Sequence, residues 1–365
     1  MKIAAPVLLE AGRPMEELAL DVGEPRAGEV LVRMAASGVC HSCLSAANGA
    51  STRAPKPIVL GDEGAGVVEA VGPGVTRLAE GDHVVLSWAP GCGRCRYCDA
   101  GRPVLCTNAP PFGFLDDGTT RFSVDGTPVH HFGPATYAPY TVVQERAAVR
   151  ISKALPLEHA ALIGCSVTTG VGAVVNTGGV QAGQSVAVFG CGGVGLNAVQ
   201  GAVLVGAATI VAVDPVGERL DGARELGATH ALPAGEDVSA AIRELTGGGV
   251  DCAVVAAGVP AVVEQALASL APGGVVVAVG VPPAGSSFAV DPGLLLGGER
   301  RLAGSKYGSS NPLVEFPRLV ELALAGRIEL ERLITRRYAL AEANEAFDDL
   351  ASGALARGLI VFDGA

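Results

Sequence analysis

A cluster of four cysteines is the strongest chemical signal in this sequence. Cys92, Cys95 and Cys98 are separated by two residues each, and Cys106 follows after seven more. Thiolates at this spacing can converge on one tetrahedral Zn²⁺, and a site closed by four thiolates keeps no open coordination position. The cluster therefore predicts a structural zinc in a compact exposed lobe near residues 91–107, without a strand or helix. Two disulfides are disfavoured, because a cytosolic compartment keeps thiols reduced.

A glycine-rich loop indicates a dinucleotide site. It follows a strand-like segment at 185–189, opens a helical run, and consists of Gly190, Cys191, Gly192, Gly193, Val194 and Gly195. Such glycines let the backbone approach a pyrophosphate at a helix N-terminus. Asp214 ends the next strand-like segment, where a carboxylate accepts hydrogen bonds from ribose hydroxyls and repels a 2′-phosphate. The pattern predicts NAD rather than NADP.

Composition narrows the class of protein and its partners. The chain has 365 residues, enough for two domains, with 49% hydrophobic residues and 51 glycines. The net charge is −11 and no basic run occurs, so nucleic acid and anionic membranes are poor partners. The N-terminal apolar run is too short for a signal peptide, which favours a cytoplasmic protein. Residues 160–213 carry no charge, but their many glycines indicate a buried parallel sheet rather than a membrane span.

The elements that must position these residues change in type along the chain. The first 150 residues contain short strand-like segments separated by turns, at 30–34, 66–71 and 83–86. Residues 112–140 are polar, glycine-rich and aromatic, and we expect them to form a long excursion on the surface. Strand-like segments then alternate with helical runs, at 185–189, 209–213, 251–255 and 274–279. This alternation predicts an α/β protein with a doubly wound parallel sheet.

Taken together, the sequence resembles the medium-chain zinc alcohol dehydrogenases over essentially its whole length. The resemblance is carried by the four-cysteine lobe, the glycine loop, an insertion at 117–132, and the segments Gly38–Ser42, Gly61–Gly66 and Gly164–Gly170. It implies a mostly-β GroES-like catalytic domain, built from residues 1–166 and 307–365, and an NAD-binding Rossmann domain at 167–306. It also implies a homodimer or homotetramer, and the apolar segment 275–281 suggests an unpaired sheet edge for that contact.

The resemblance also implies roles for individual residues. The catalytic zinc of the family is held by Cys, His and Cys, which correspond here to Cys40, Asp62 and Cys165, with Glu63 as an additional ligand. Ser42 corresponds to the hydroxyl that relays the alcohol proton. The implied cofactor contacts are His41 and Arg357 at the pyrophosphate, Arg219 at the ribose, and Thr169 and Val194 at the nicotinamide. The implied substrate pocket contains Trp88, Val281 and Lys306.

Two departures from the family pattern fall at the catalytic zinc. The family's Gly-His-Glu is here Gly61-Asp62-Glu63, and Cys43 replaces the Asp that orients the missing His. An Asp ligand adds one negative charge, which should raise the pKa of a bound alcohol and impair oxidation more than carbonyl reduction. Asp62, Glu63 or Cys43 could each complete the site. The segment Thr107–Pro111 lacks the anion-binding Arg of the family's glutathione-linked members, which argues against a glutathione-adduct substrate.

Among the remaining polar residues, His130 and His131 are expected at the surface or anchoring a loop, and Cys191 in the core. The sequence therefore predicts an NAD-dependent zinc oxidoreductase that interconverts a small-molecule alcohol and an aldehyde or ketone. The alternatives are a specialised biosynthetic reductase of carbonyl or iminium groups, a variant with weak or absent catalytic zinc, and a non-enzymatic dinucleotide-binding protein. The substrate is not determined by the sequence.

Overall fold

The computed structural model describes residues 1–51, 55–353 and 355–362. Its strands are β1 Lys2–Val7, β2 Glu16–Val22, β3 Glu29–Val39, β4 Ile58–Val59, β5 Gly64–Val71, β6 His83–Leu86, β7 Phe122–Val124, β8 Thr127–His131, β9 Tyr140–Gln144, β10 Ala148–Arg150, β11 Ser185–Phe189, β12 Thr209–Asp214, β13 His230–Pro233, β14 Val250–Val255, β15 Leu270–Ala278, β16 Arg301–Gly304, β17 Arg336–Ala339 and β18 Gly358–Val361. Its α-helices are α1 His41–Ala47, α2 Arg96–Asp99, α3 Leu157–Leu162, α4 Thr168–Gly172, α5 Gly193–Leu204, α6 Gly217–Glu225, α7 Val238–Thr246, α8 Pro260–Ala268, α9 Pro292–Leu296, α10 Pro312–Leu324 and α11 Ala343–Ser352.

The chain divides into two compact units. The first unit comprises Met1–Cys165, Asn311–Gly326 and Ile334–Ala365, and the second comprises Ser166–Ser310 and Arg327–Leu333. The sequence-based division assigned 1–166 and 307–365 to the catalytic domain, which differs from the first unit at 166, 307–310 and 327–333. Residues 327–333 belong to the second unit because Glu329 forms two hydrogen bonds with α5. Gln200 donates to the Glu329 carbonyl at 3.2 Å and accepts from the Glu329 N–H at 2.7 Å.

Two sheets form the first unit. One has the strand order β1-β2-β7-β8-β4, and the other has the order β10-β6-β5-β3-β18-β17, with β9 also paired to β3. Strand β3 is central and almost continuously buried, which its run E-V-L-V-R-M-A-A-S-G-V explains, since apolar side chains alternate to both faces. It leads directly into α1, so the residues that follow β3 are held on a rigid element.

The segment expected to lie on the surface at 112–140 is instead part of this core. It contributes β7 and β8 and the buried rings of Phe122 and Tyr137. His131 is also buried, at 2% exposure, which excludes the surface position and leaves the loop-anchoring role among the two that the sequence offered. Its ring stacks on Phe122, and its Nε2 accepts from the Arg121 N–H at 3.4 Å. Aromatic side chains buried between strands account for the difference, because polar neighbours in the sequence masked them.

The second unit contains one sheet with all neighbouring strands parallel, in the order β13-β12-β11-β14-β15-β16. This confirms the predicted doubly wound sheet. The order reverses between β11 and β14, and ligands of such folds bind at the carboxyl ends of the strands at that point. We predicted an unpaired sheet edge at 275–281, which lies in and after β15. In the structure β16 pairs with β15 on that side, with Ala278 opposite Gly304.

One helical stretch, Leu157–Gly178, is long and apolar enough to cross a membrane by composition. Within the protein 83% of its most apolar 18-residue window is buried, as expected for a core helix. The uncharged run that begins at residue 160 is therefore accounted for by packing.

Candidate functional site

The four-cysteine lobe has the dimensions of a tetrahedral metal site. The Sγ–Sγ distances are 3.6 Å for Cys95–Cys98, 3.9 Å for Cys95–Cys106 and 4.0 Å for Cys92–Cys98. Four thiolates at a Zn–S distance of about 2.3 Å would lie about 3.8 Å apart, whereas a disulfide needs about 2.05 Å. The thiols are free and fit a closed zinc site. Contrary to the expectation of no helix, the lobe contains α2 and a 3₁₀ turn at Pro103–Leu105.

A second group of metal-ligand atoms lies in the first unit. One ligand atom each of Cys40, Asp62 and Cys165 lies within 4.8 Å of the others, and all three residues are buried. Cys40 precedes α1, Asp62 precedes β5, and Cys165 ends the first unit's share of the helical stretch at 157–178. The structure therefore brings together the three residues that stand at the family's ligand positions. Two thiolates and a carboxylate are a donor set that Zn²⁺ accepts.

Both oxygens of the Asp62 carboxylate are engaged by residues of α1. The Ser42 hydroxyl donates to Oδ2 and lies 3.0 Å from the Cys40 Sγ. The Cys43 thiol donates to Oδ1 at 3.5 Å. Burial, followed by the nearby Cys40 charge, raises the pKa of Asp62 to about 7. Cys43 itself lies outside the three-residue group and acts on Asp62 as a donor.

The loop that presents Asp62 requires glycine. Gly61 has φ +106°, and a Cβ there would lie 2.4 Å from Thr136 Oγ1. Gly133 similarly fills a narrow space, since its Cβ would lie 3.1 Å from the Cβ of Trp88 and 3.7 Å from that of Asp62. Trp88 and Asp62 therefore both lie close to Gly133. Thr136 and Gly133 were missed in the sequence because they fall in the segment assigned to the surface.

Glu63 is not in the metal-ligand group, and its carboxylate forms a buried ion pair with Arg357. The Arg357 Nε donates to Glu63 Oε1 at 3.2 Å. The Glu63 side chain is 0% exposed and that of Arg357 is 5% exposed. Gly38 makes room for this pair, because a Cβ there would lie 2.7 Å from the Glu63 Cδ. The structure thus pairs Glu63 with Arg357, and their expected roles as a zinc ligand and a pyrophosphate contact stay predictions.

The glycine loop has the geometry of a dinucleotide-binding turn. Gly190 has φ +91°, and a Cβ at Gly195 would lie 1.7 Å from the Gly190 carbonyl oxygen. By contrast, a Cβ at Gly192 would meet no atom within 4 Å, so the backbone there faces open space. The N-terminus of α5 follows directly at Gly193. These residues fit a pyrophosphate that lies against the loop backbone.

Asp214 lies at the end of β12 and orders this loop. Its Oδ2 accepts from the Cys191 N–H at 2.7 Å, and its Oδ1 accepts from the Val216 N–H at 2.9 Å. The Arg219 guanidinium lies 3.9 Å from Oδ2. As the sequence predicted, Cys191 is buried in the core, and burial raises the pKa of its thiol to about 12.

The remaining predicted contacts have diverse environments. Thr169 on α4 is buried, and Val194 is half-buried at the start of α5. His41 is an exposed first residue of α1. Val281 and Lys306 are exposed residues of the second unit, Val281 by 76%.

Comparison with known proteins agrees with this architecture. The family model "Alcohol dehydrogenase GroES-like domain" matches residues 26–153, and "Zinc-binding dehydrogenase" matches residues 193–325. An NDMA-dependent alcohol dehydrogenase of Amycolatopsis methanolica is 41% identical over 99% of both chains. An S-(hydroxymethyl)glutathione dehydrogenase of Synechocystis is 39% identical over 99% of this chain and 100% of the relative. The crystal structure of benzyl alcohol dehydrogenase from Acinetobacter calcoaceticus superimposes with a TM-score of 0.94 at 35% identity over 99% of both chains.

The chain therefore belongs to the medium-chain zinc alcohol dehydrogenase family. Its fold is a GroES-like domain together with a Rossmann domain, and it is an oxidoreductase of the zinc alcohol dehydrogenase type.

Proposed function

We propose that this chain is an NAD-dependent zinc oxidoreductase that interconverts a small-molecule alcohol and its aldehyde or ketone. The observation that carries the proposal is the buried group of Cys40, Asp62 and Cys165, with the Ser42 hydroxyl hydrogen-bonded to Asp62. A dinucleotide-binding loop on the same chain supports a redox reaction rather than hydrolysis. If metal in this protein served only the fold, a second metal-ligand group in addition to the four-cysteine lobe would not be required.

Cys40, Asp62 and Cys165 would hold the catalytic zinc. When bound, Zn²⁺ supplies Lewis-acid polarisation of the substrate oxygen and lowers the pKa of an alcohol. The protein contributes rigid donors, because α1 and the loop before β5 fix Cys40 and Asp62. Hydrogen bonds from Ser42 and Cys43 orient the Asp62 carboxylate in the way that outer partners orient metal ligands.

Ser42 would carry the substrate proton. Its hydroxyl touches both Cys40 and Asp62, so it lies at the edge of the metal-ligand group. A hydroxyl in this position can accept a proton from an alcohol and pass on its own from Oγ. In the family pattern a His often follows three residues later, but Ser45 takes that place, so the proton would leave by another route than in that pattern.

The second unit would bind NAD through Gly190–Gly195 and Asp214. When bound, NAD accepts or donates the hydride. The Asp214 carboxylate, which the loop N–H groups hold in place, would disfavour a 2′-phosphate by charge repulsion. Arg219 reduces this repulsion, since it lies 3.9 Å from Asp214. Thr169 and Val194 would support the nicotinamide.

The relatives' names favour a primary alcohol or its aldehyde as the substrate, and Trp88 beside Asp62 favours a flat or apolar one. The segment Thr107–Pro111 still argues against a glutathione adduct. We further infer a cytoplasmic homodimer or homotetramer that forms at the outer edge of β16. Leu302 on β16 is 38% exposed, which supports a covered face at this edge. A monomeric mass by light scattering at micromolar concentration would contradict the assembly.

The decisive experiment combines metal analysis with a turnover screen. We expect two zinc ions per chain in the wild type and NAD-dependent oxidation of apolar primary alcohols, or reduction of their aldehydes by NADH. Asp62→Ala should lose one zinc and the turnover but keep the lobe zinc. The matched control is Asp116→Ala, at a surface carboxylate that pairs with Arg146. One zinc per chain in the active wild type would refute a zinc at Asp62.

A further inference from the structure

Helix α4 is held between two backbone contacts that only glycine permits. On one side, a Cβ at Gly170 would lie 2.2 Å from the Val194 carbonyl oxygen at the start of α5. On the other side, a Cβ at Gly172 would lie 2.4 Å from the Gly308 carbonyl oxygen. Real Cβ atoms do not approach oxygen this closely, so the backbones themselves are in contact. The position of α4 is therefore set from both sides within the second unit.

The contact at Gly308 belongs to an unusual turn, Tyr307–Ser309. All three residues are left-handed, with φ +55° for Tyr307, +65° for Gly308 and +51° for Ser309. Tyr307 and Ser309 have a Cβ, and this conformation is strained for such residues. Consecutive residues persist in it only where the surroundings determine the backbone.

Side chains of the π-helical turn at Ala173–Gly178 supply this support. The Asn176 amide donates to the Gly308 carbonyl at 3.1 Å. The Thr177 hydroxyl lies 2.8 Å from the Ser305 hydroxyl and 2.8 Å from that of Ser309. The turn Tyr307–Ser309 is thus hydrogen-bonded to the π-helical turn that continues directly from α4.

We propose that Gly308 is a positioning residue for the nicotinamide half of the cofactor. A Cβ at Gly308 would lie 2.4 Å from the Thr168 carbonyl oxygen and 3.1 Å from that of Thr169. The turn therefore presses α4 toward Val194 and sets Thr169 relative to it. The inference rests on the proposed function, in which Thr169 and Val194 support the nicotinamide.

The test compares two ligands that differ in the nicotinamide. NADH and ADP-ribose share the adenosine and pyrophosphate, but ADP-ribose cannot use Thr169 and Val194. In Gly308→Ala we expect NADH affinity to fall by about tenfold or more, since displacement of a contact by about 1 Å is costly, while ADP-ribose affinity stays within about twofold. Both affinities are measured by calorimetric titration.

The matched control is Gly179→Ala. Gly179 is also left-handed, with φ +63°, and lies at the end of the same π-helical turn, but its Cβ would meet no atom within 4 Å. It reproduces the backbone strain without the contact, so both ligands should bind as in the wild type. A gentler variant, Thr177→Val, removes only the hydroxyl that fastens the turn. We expect it to fold and to lower the NADH affinity about threefold more than the ADP-ribose affinity, because the loss of one hydrogen bond loosens the turn without removing the backbone contact.

The possible results distinguish the positioning role of Gly308 from the binding of NAD itself. Loss of both ligands in equal proportion in Gly308→Ala and Thr177→Val would overturn the positioning role and leave the proposed function standing. If the ratio of NADH affinity to ADP-ribose affinity changed as much in Gly179→Ala as in Gly308→Ala, the positioning role would also be overturned, because backbone strain alone would then explain the effect. A wild type that binds neither ligand would overturn the proposed function and this inference with it.

Discussion

Replacing Glu63 by Gln should destabilise the first unit by several kcal/mol and leave the metal content unchanged. The Arg357 side chain is only 5% exposed, so the change leaves its guanidinium buried without a counter-charge. Removing one partner of a buried ion pair costs about 3–5 kcal/mol. In a domain of about 150–250 residues each kcal/mol lowers Tm by about 2–4 °C, so we expect a decrease of about 6–20 °C.

Thermal unfolding, followed by circular dichroism, and zinc analysis of the same samples give the assay. The control is Glu69→Gln, which breaks the exposed Arg33–Glu69 pair at 3.4 Å and should cost less than about 1 kcal/mol. Adding Arg357→Met to Glu63→Gln should recover part of the stability, because no charge is then left buried. An unchanged Tm together with the loss of one zinc per chain would show that Glu63 binds metal, and the reasoning from the ion pair would be refuted.

Three further predictions concern the lobe, the core and the cofactor. Cys95→Ser should release one zinc per chain and lower Tm, and full metal content at an unchanged Tm would contradict the lobe assignment. Burial, with the Arg121 charge, lowers the pKa of His131 to about 3. The His131 imidazole is thus protonated at a lower pH in the folded state than in the unfolded chain. The free energy of unfolding should therefore fall as pH decreases from about 6.5, by up to about 1.4 kcal/mol per pH unit. His131→Phe should flatten Tm against pH between 6.5 and 5, about the range where the unfolded imidazole titrates, and an equally steep profile would refute this. Asp214→Asn should raise the NADPH affinity relative to NADH by about tenfold, since Arg219 then faces the 2′-phosphate without a competing carboxylate, and an unaltered ratio in titrations would exclude that role.

Local chemistry made part of this molecule predictable. Cys92, Cys95, Cys98 and Cys106 lie within fifteen residues, so their convergence needs no knowledge of the fold. The glycine loop and Asp214 were predictable for a similar reason, because a strand, a turn and a helix in succession determine where both must lie. The position of Asp62 beside Cys40 and Cys165 came from the resemblance to a family, and the structure brings those three residues together.

Other features depend on contacts between distant segments. The aromatic segment at 112–140 has a polar sequence, so the burial of Phe122 and His131 could not be read from it. Likewise β16 is short and has only weak apolar character, which hid the true edge of the parallel sheet.

The sequence by itself determined the doubly wound sheet, the zinc lobe and the dinucleotide loop, because each depends on residues that are close in the chain. Only the tertiary structure showed that Glu63 and Arg357 form an ion pair, since 294 residues separate them in the sequence. The same holds for Gly172 and Gly308, whose backbones meet across the second unit. Burial enforces such pairings, because a buried charge needs a partner and a close backbone contact leaves no room for a Cβ.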